Sequence, residues 1–246
     1  MILAIDIGNS YTKLAVYEGR KVVRRELVHK SQSFDLQKIL NDYRIERVAI
    51  STVGRVVDIE AQAESSGIEI RRLERVTALP FANDYRTPET LGLDRIAGML
   101  GAWATHEGVK NFLVMDLGTC NTYDIMIDGH YIGGNIAPGV EMRLKAMHEF
   151  TAKLPMIEVE EADKIVEGMD CKIGGTTCEA MACGAITGMV DEIENIIDRF
   201  RKMTGNKGVC IMTGGYADVV AKRLTSEIEV NPYLVLDGLY QLAIEN

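Results

Sequence analysis

The sequence predicts an α/β protein built from two similar half-domains, each a mixed sheet flanked by helices. Short apolar runs bounded by turn residues alternate with segments of helical spacing, which is the order an α/β architecture requires. A stretch carrying Asp6, Gly8, Thr12 and Gly19 overlays a second one carrying Asp116, Gly118, Thr122 and Gly129, at a constant offset of 110 positions. A chain of 246 residues is long enough for two modest domains. The expected division is 1–110 and 111–246, with the boundary near Lys110.

In the first half, Ile2 to Ile7 is an apolar run that reads as a buried strand and meets Asp6 and Gly8 at its end. Thr12 to Tyr17 and Lys21 to Val28 are extended, and the Glu18-Gly19 turn between them makes an antiparallel hairpin. Phe34, Leu36, Ile39, Leu40 and Tyr43 have helical spacing. Val48 to Val53 is a buried strand, Val57 to Ser66 a helix and Glu69 to Leu73 a strand. Thr87-Pro88-Glu89 has the marks of a helix start, a hydroxyl followed by proline at the first helical position. A long helix then runs through Ile96, Leu100, Trp103 and Ala104.

The pattern restarts at Asn111 to Met115, an apolar run ending at Asp116-Leu117-Gly118-Thr119. Thr122 to Ile127 is extended, Asp128-Gly129 turns, and another strand follows. This internal repeat implies two copies of one strand–turn–strand–turn–strand unit. The acidic stretch Glu158 to Asp163 reads as a solvated loop. Gly174 to Val190 is rich in small residues and Met, a composition suited to close helix packing or to a core helix. Gly208 to Thr213 reads as a strand running into Gly214-Gly215, with helical Val219 to Leu224 beyond.

Composition narrows the function classes. Hydrophobic residues at 47% and charged ones at 26% suffice for a packed core and exclude a disordered chain. The net charge of −9 argues against nucleic acid as a partner, since phosphate-backbone binding needs a basic surface. It leaves a nucleotide ligand open, because a few backbone N–H groups can hold its phosphates. The cysteines (Cys120, Cys171, Cys178, Cys183, Cys210) are odd in number and form no C-x-x-C pair, which fits a reducing cytosol. His29, His106, His130 and His148 show no metal-ligand spacing and read as surface residues. The N-terminal MILAIDIGNS lacks a basic n-region and reads as a strand, not a signal peptide. No apolar run approaches the ~20 residues of a membrane span. Neither G-x-x-x-x-G-K-[ST] nor G-x-G-x-x-G is present, so the P-loop and dinucleotide-binding fingerprints are missing.

A turn of the form Asp-x-Gly-[Asn/Thr] lets backbone N–H groups approach phosphate oxygens, because glycine puts no Cβ in the way. The following Asn, Ser or Thr adds donors, and Lys13 can add a positive charge. The carboxylate heading each turn serves through a magnesium ion, a metal-bound water or a monovalent cation. Either motif alone fits a plain hairpin with a satisfied turn Asp; the matched pair favours a two-jawed phosphate clamp. The glycines at 214 and 215 suit close approach to adenine or ribose, or a simple strand-to-helix turn. Asp94, in Gly92-Leu93-Asp94-Arg95, suits a proton acceptor at a helix start, or a helix-end charge paired with Arg95.

Seven elements in order resemble the type III pantothenate kinases, members of the acetate and sugar kinase, chaperone ATPase and actin superfamily. They are Asp6-Ile-Gly-Asn-Ser-Tyr-Thr-Lys13; Tyr85 with Pro88 and Gly92-Leu-Asp94-Arg95; and Asp116-Leu-Gly-Thr119 with Thr122 and Asp124. Then come Gly133-Gly-Asn-Ile-Ala-Pro-Gly139, Thr151-Ala-Lys-Leu-Pro155, Gly174-Gly-Thr-Thr177 and Thr213-Gly-Gly215. The resemblance covers nearly the whole chain. It departs at Ser10, where Thr is more usual, and at Cys120-Asn121, where small residues are expected.

The resemblance implies two ribonuclease-H-like, actin-like ATPase domains closing over ATP. It implies phosphorylation of pantothenate to 4′-phosphopantothenate, the first step towards coenzyme A. Asp94 carries over as catalytic base, and Tyr85, Gly92, Leu93, Asp94, Arg95 and Thr177 as the substrate pocket. Asp6, Ile7, Gly8, Asn9, Ser10, Tyr11, Thr12, Lys13 and Thr119 carry over as ATP contacts. Asp6 is expected to organise Mg2+ through water, and Asp116 to hold a monovalent cation, K+ or NH4+. A cytoplasmic homodimer is expected, with Thr177 near the subunit boundary and with no nucleic-acid or membrane partner. The alternatives are an acetate or sugar kinase of the same superfamily, and a non-catalytic transcription accessory regulator of the same fold.

Overall fold

The computed structural model describes residues 1–8, 11–29, 31–32, 34–52, 57–75, 77–170 and 173–244, with the backbone alone at 52, 57, 58 and 60. Asn9, Ser10, Val53 and Cys171 lie outside the described residues. The chain divides into two units, Met1–Lys110 with Gly129–Ile132 and Tyr233–Asn246, and Asn111–Asp128 with Gly133–Pro232.

The first unit opens with a meander, β1 (Ile2–Ile7), β2 (Tyr11–Glu18) and β3 (Lys21–His29). The short helix α1 (Leu36–Asp42) follows, with the Asp35 carboxylate accepting the Lys38 N–H at 3.0 Å as its N-cap. Then come β4 (Arg47–Thr52), α2 (Val57–Ser65), β5 (Glu69–Arg72), the two-residue β6 (Ala82–Asn83) and α3 (Leu93–Thr105). The sheet order is β3-β2-β1-β4-β5, antiparallel through the meander and parallel from β1 to β5. Central β1 is covered on both faces, so Leu3, Ala4 and Ile5 are wholly buried and the strand reads as one apolar run.

The second unit repeats this plan with β7 (Phe112–Leu117), β8 (Cys120–Ile127) and β9 (His130–Pro138). Helices α4 (Val140–Glu149), α5 (Val159–Glu167) and α6 (Thr177–Ala182) follow. A π-helical turn, Cys183–Thr187, joins α6 directly to α7 (Gly188–Thr204). Then come β10 (Val209–Thr213), α8 (Ala217–Ala221) and β11 (Glu229–Val230). The order β11-β10-β7-β8-β9 mirrors that of the first sheet, with β10 parallel to β7 as β4 is to β1. Met181, Ala182, Ala185, Ile186, Met189 and Ile193 make α6–α7 the centre of this unit's core. The first residues of β9 belong to the first unit, where His130 and Tyr131 pair in parallel with Ala82 and Asn83.

The repeat is offset by 110 at β1 and β7 but by 109 from β2 onward. Ile7 pairs with Thr12 across the first turn, whereas Leu117 pairs with Asn121 across the second, so the first turn is one residue longer. Thr12 therefore stands where Asn121 does, not Thr122, and Lys13 stands where Thr122 does. At the far turn Gly19 (φ 54°) matches Asp128 (φ 52°), both left-handed, not Gly129.

Two further elements differ from the sequence reading. Glu158 to Asp163 is not a loop: it enters α5, which buries Val159, Ala162 and Val166 and turns its glutamates outward. The apolar residues have helical spacing; the charge density between them masks it. Thr87-Pro88-Glu89 starts only a 3-10 turn at Pro88–Thr90, because Leu91 is extended and buried. The long helix α3 begins after it, with Gly92 as its N-cap.

The last helix, α9 (Leu234–Ile244), returns to the first unit although the second unit precedes it in sequence. It packs on α3 through backbone contact. A Cβ on Gly101 would lie 2.0 Å from the Leu234 carbonyl oxygen, and one on Gly238 would lie 2.0 Å from that of Ala97. The Tyr17 hydroxyl donates to Asp237 at 2.8 Å, the Tyr17 and Tyr240 rings stack 4.5 Å apart, and the Arg47 guanidinium donates to the Ala243 carbonyl. Burial and then the Asp237 carboxylate hold the Tyr17 hydroxyl protonated far above the ordinary phenol range.

Two stability outcomes follow from these contacts. Helix propensity alone makes Gly→Ala in a helix favourable by roughly 0.5–1 kcal/mol. At Gly101 the sign reverses: overpacking costs about 1–3 kcal/mol or more, so the Gly101→Ala melting temperature falls by roughly 5–10 °C; a rise would refute the crossing. In the second unit, Glu194 on α7 accepts from the backbone and side chains of Thr225 and Ser226. Burial alone would raise its pKa; these bonds overcome that and bring it to about 2 from 4.5. A depressed carboxylate stabilises above its unfolded pKa and loses that contribution as pH falls through the folded one. Wild-type stability therefore drops between about pH 4.5 and 2, and denaturant melts of Glu194→Gln across that range show a shallower slope.

Candidate active site

The first turn follows β1, where Asp6 pairs in register with Lys13 on β2 and Ser51 on β4. Asp6 is 8% exposed and Ser51 2%, so the carboxylate is held at the sheet's edge with little water around it. Gly8 N–H closes the turn on the Tyr11 carbonyl at 3.0 Å, and a Cβ there would press on that same oxygen at 3.2 Å. Ile7, Thr12 and Lys13 are half-buried, while Tyr11 is exposed and meets the His29 ring edge-on. The structure thus gathers Asp6, Ile7, Gly8, Tyr11, Thr12 and Lys13 around one turn; Asn9 and Ser10 lie outside the described residues.

A second cluster of the first unit forms at the start of α3. Asp94 sits in the first helical turn, with one carboxylate oxygen accepting the Arg95 N–H at 2.9 Å. The peptide dipoles at this end favour the ionised carboxylate. At Gly92 a Cβ would fall 2.4 Å from Asp94 Oδ1, so a side chain there would displace the Asp94 carboxylate from this position. Arg95 is 6% exposed and its guanidinium lies 5.5 Å from the Tyr85 ring centroid. Tyr85 N–H donates to Asn83 Oδ1, and its ring tilts against that of buried Tyr131. Tyr85, Gly92, Leu93, Asp94 and Arg95 are therefore neighbours through structure as well as sequence. One contact between Asp94 and Arg95 runs from the Arg95 backbone N–H to the carboxylate.

In the second unit Asp116 pairs in register with Thr122 on β8 and Thr213 on β10. Gly118 N–H donates to the Cys120 carbonyl at 3.2 Å, and Gly139 N–H donates to the Thr119 carbonyl at 3.1 Å. Two glycines let backbone crowd this turn. A Cβ on Gly139 would lie 2.2 Å from the Gly118 oxygen; one on Gly214 (φ 99°) would lie 2.6 Å from Asp116 Oδ1 and 2.5 Å from Leu117 N. Thr213 Oγ1, beside Asp116, and Asn121 Oδ1 are buried without a hydrogen-bond partner. Among the described residues no group of three or more His, Cys, Asp or Glu side chains is placed to bind a metal ion. Cation binding here would rest on single carboxylates with hydroxyl and carbonyl oxygens.

Thr177 is the first residue of α6 and is exposed. The capping box of Thr176 and Glu179 fixes it: the Thr176 hydroxyl accepts Glu179 N–H, and the Glu179 carboxylate accepts from Gly175 and Thr176. Gly174 folds onto this turn, where a Cβ would meet Ala180 N at 2.1 Å.

The sequence reading missed Thr213 as the strand neighbour of Asp116 and missed α4 altogether. It also missed the bonds behind the second turn. Arg143 Nε donates to the Pro138 carbonyl at 2.8 Å and its Nη2 to Glu192 Oε2 at 2.6 Å. Tyr123 donates its hydroxyl to Glu192 Oε1 at 2.6 Å. Only the Pro138-Gly139 dipeptide before α4 hinted at this in the sequence.

Comparison with known proteins agrees with these motifs. A family model described as type III pantothenate kinase matches residues 2–199. A type III pantothenate kinase of Flavobacterium johnsoniae is 35% identical over 256 residues, covering 100% of both chains. One from Bacteroides fragilis is 36% identical, covering 98% of this chain and 97% of its own. Among solved structures, a Campylobacter jejuni protein assigned to the Baf family of transcriptional activators aligns with a TM-score of 0.62 at 18% identity, over 98% of this chain and 96% of its own. A ROK family glucokinase from Streptomyces griseus, in complex with glucose and AMPPNP, aligns with a TM-score of 0.55 at 13% identity, over 98% of each chain. These two likenesses establish the fold alone.

Proposed function

The chain belongs to the type III pantothenate kinase family, and on that premise we propose how its residues carry the family's reaction. The activity is ATP-dependent phosphorylation of pantothenate in coenzyme A biosynthesis. The observation that carries the assignment of roles is the cluster at the start of α3, where Asp94, Arg95, Gly92 and Tyr85 are held together by backbone approach and ring contact.

Phosphoryl transfer asks a protein mainly for positioning and charge stabilisation, with one carboxylate to take the hydroxyl proton. Asp94 is that carboxylate, oriented by its bond from the Arg95 N–H. Arg95, with Tyr85 beside its guanidinium, holds the substrate's carboxylate or carbonyl oxygens through its fixed fork of donors. Gly92, Leu93 and Thr177 line the same substrate. Backbone N–H groups of the Gly8 and Gly118 turns, with Asn9, Ser10, Tyr11, Thr12, Lys13 and Thr119, hold ATP. The functional division follows 1–110, with the first turn and the base, and 111–246, with the second turn and Thr213-Gly214-Gly215.

Low exposure and a single carboxylate suit Asp6 to magnesium met through water, since that ion keeps most of its hydration shell. Asp116 and the buried Thr213 hydroxyl offer oxygen donors to a potassium or ammonium ion, which would offset phosphate charge. Exposed Ile136, Phe150 and Ile173 offer apolar surface to a second copy, supporting a homodimer. No helix among the described residues is long and apolar enough to cross a membrane. The free thiols of Cys120, Cys178, Cys183 and Cys210 support a cytoplasmic location.

The base assignment is tested with Asp94→Asn, which keeps shape. We expect kcat to fall by roughly 10²–10⁴ while ATP and pantothenate affinities change little. Arg95→Ala is expected to act on pantothenate affinity instead. If both variants lose only melting temperature and retain turnover, Asp94 is a structural charge and not the base.

The cation assignment is tested by exchanging potassium for sodium. Turnover is expected to depend on potassium or ammonium, and Asp116→Ala to abolish that dependence together with most of the activity. Full turnover in sodium alone would dismiss the site.

A further inference from the structure

We propose that Arg143, Glu192 and Tyr123 are positioning residues that hold the Gly118–Thr119 turn in its ATP-binding shape. The inference rests on the reading of that turn as an ATP contact and adds the residues that set its geometry.

The chain of bonds is continuous. Tyr123 lies on β8, four residues beyond Thr119, and is 1% exposed. Its hydroxyl donates to one oxygen of Glu192 on α7, and Arg143 donates to the other, each at 2.6 Å. Burial and then the Glu192 carboxylate hold the Tyr123 hydroxyl protonated well above the ordinary phenol range, so it remains a donor. Arg143 lies in the first turn of α4, and its Nε reaches back to the Pro138 carbonyl at 2.8 Å. That bond fixes the peptide immediately before Gly139, and Gly139 N–H in turn holds the Thr119 carbonyl at 3.1 Å. Asn121 adds a bond from its Nδ2 to the Tyr123 oxygen at 3.3 Å.

Each link is of a kind that transmits position. The guanidinium is planar, so one bond to Pro138 and another to Glu192 fix its plane. The bonds to the Glu192 carboxylate are charge-assisted, about twice as strong as neutral ones. The Thr119 carbonyl is read by a backbone N–H on a residue where a Cβ would stand 2.2 Å from the Gly118 oxygen, which leaves no slack. A turn that presents N–H groups to phosphate works only while its peptide planes face the right way. Here those planes are set by a bond whose donor is aimed, through Pro138, by Arg143. The side chains of Arg143 and Glu192 are 19% and 32% exposed, and Tyr123 and Glu192 line an open cavity of about 740 Å³ with Asn135, Asn195 and Arg199. Partial exposure of Arg143 lets a conservative substitution there be tolerated without rebuilding the core.

The test uses the full-length enzyme and Arg143→Lys, which keeps the charge but loses the fork. Equilibrium binding of a non-hydrolysable ATP analogue, KM for both substrates, kcat and melting temperature are measured. We expect nucleotide affinity to weaken by about tenfold, less than the roughly 10²-fold that a 1 Å misplacement costs. Pantothenate KM should stay within about twofold and the melting temperature within a few degrees, a split that a merely structural bond does not produce. Equal loss of affinity for both substrates, or lost melting temperature with intact nucleotide affinity, overturns the proposal. Thr119→Ala separates the two levels of the argument. If it weakens ATP binding while Arg143→Lys does not, the brace alone is refuted; if neither does, the turn is not an ATP contact and both readings fall. Should Arg143→Lys not fold, Tyr123→Phe, which retains the ring's packing, decides on the same readouts.

Discussion

The approach of main chain to main chain at Gly139 is the constraint on which the second unit's site depends. With no Cβ at 139, α4 begins directly against the Gly118–Thr119 peptides, and with none at 214 the β10 end lies under the Asp116 carboxylate. Asp116, the turn and two following helices are thereby tied to a single sheet edge. The side chains at that edge then have defined neighbours: Thr213 on one strand, Thr122 on another. A methyl group at either glycine would have to be accommodated by moving backbone, for which a close-packed interior has little room.

The first unit solves the same problem by a different route. Its Asp94 carboxylate stands on a helix, so the position of that helix matters more than the shape of a loop. Gly101 and Gly238 let α9 sit against α3 at backbone distance, and α3 carries Asp94 in its first turn. Tyr17 and Arg47 anchor α9 to the strands beneath it through Asp237 and the Ala243 carbonyl. Sheet, α9 and α3 form one stack in which small residues set the spacing and polar side chains set the register.

Much of this was legible in the sequence because it is locally encoded. The two Asp-x-Gly turns, the apolar β1 and β7, and the Gly92-Leu-Asp-Arg95 segment are written in adjacent residues, and the structure keeps them as neighbours. The offset of 110 was legible only as far as Ile7 and Leu117. Beyond them the extra residue in the first turn shifts every later pairing by one. Helix α5 was hidden because its charged residues outnumber the apolar ones that give it a buried stripe. Thr213 beside Asp116, Arg143 beside Glu192 and Gly238 against Ala97 were not legible, since each contact joins residues distant in the chain and no local pattern announces its partner.

The return of α9 to the first unit has a consequence for how the protein is made. Ala97 and Gly238 meet across about 140 residues of intervening chain, so the first unit lacks its α3 partner until that intervening stretch has left the ribosome. At ordinary synthesis rates that delay is on the order of ten seconds. During it the face of α3 with Ala97 and Gly101 has no α9 to cover it, whereas the second unit has its own strands and helices before α9 appears. The first unit is thus completed after the second, and until α9 closes it its uncovered helix surface is of the kind that favours transient association.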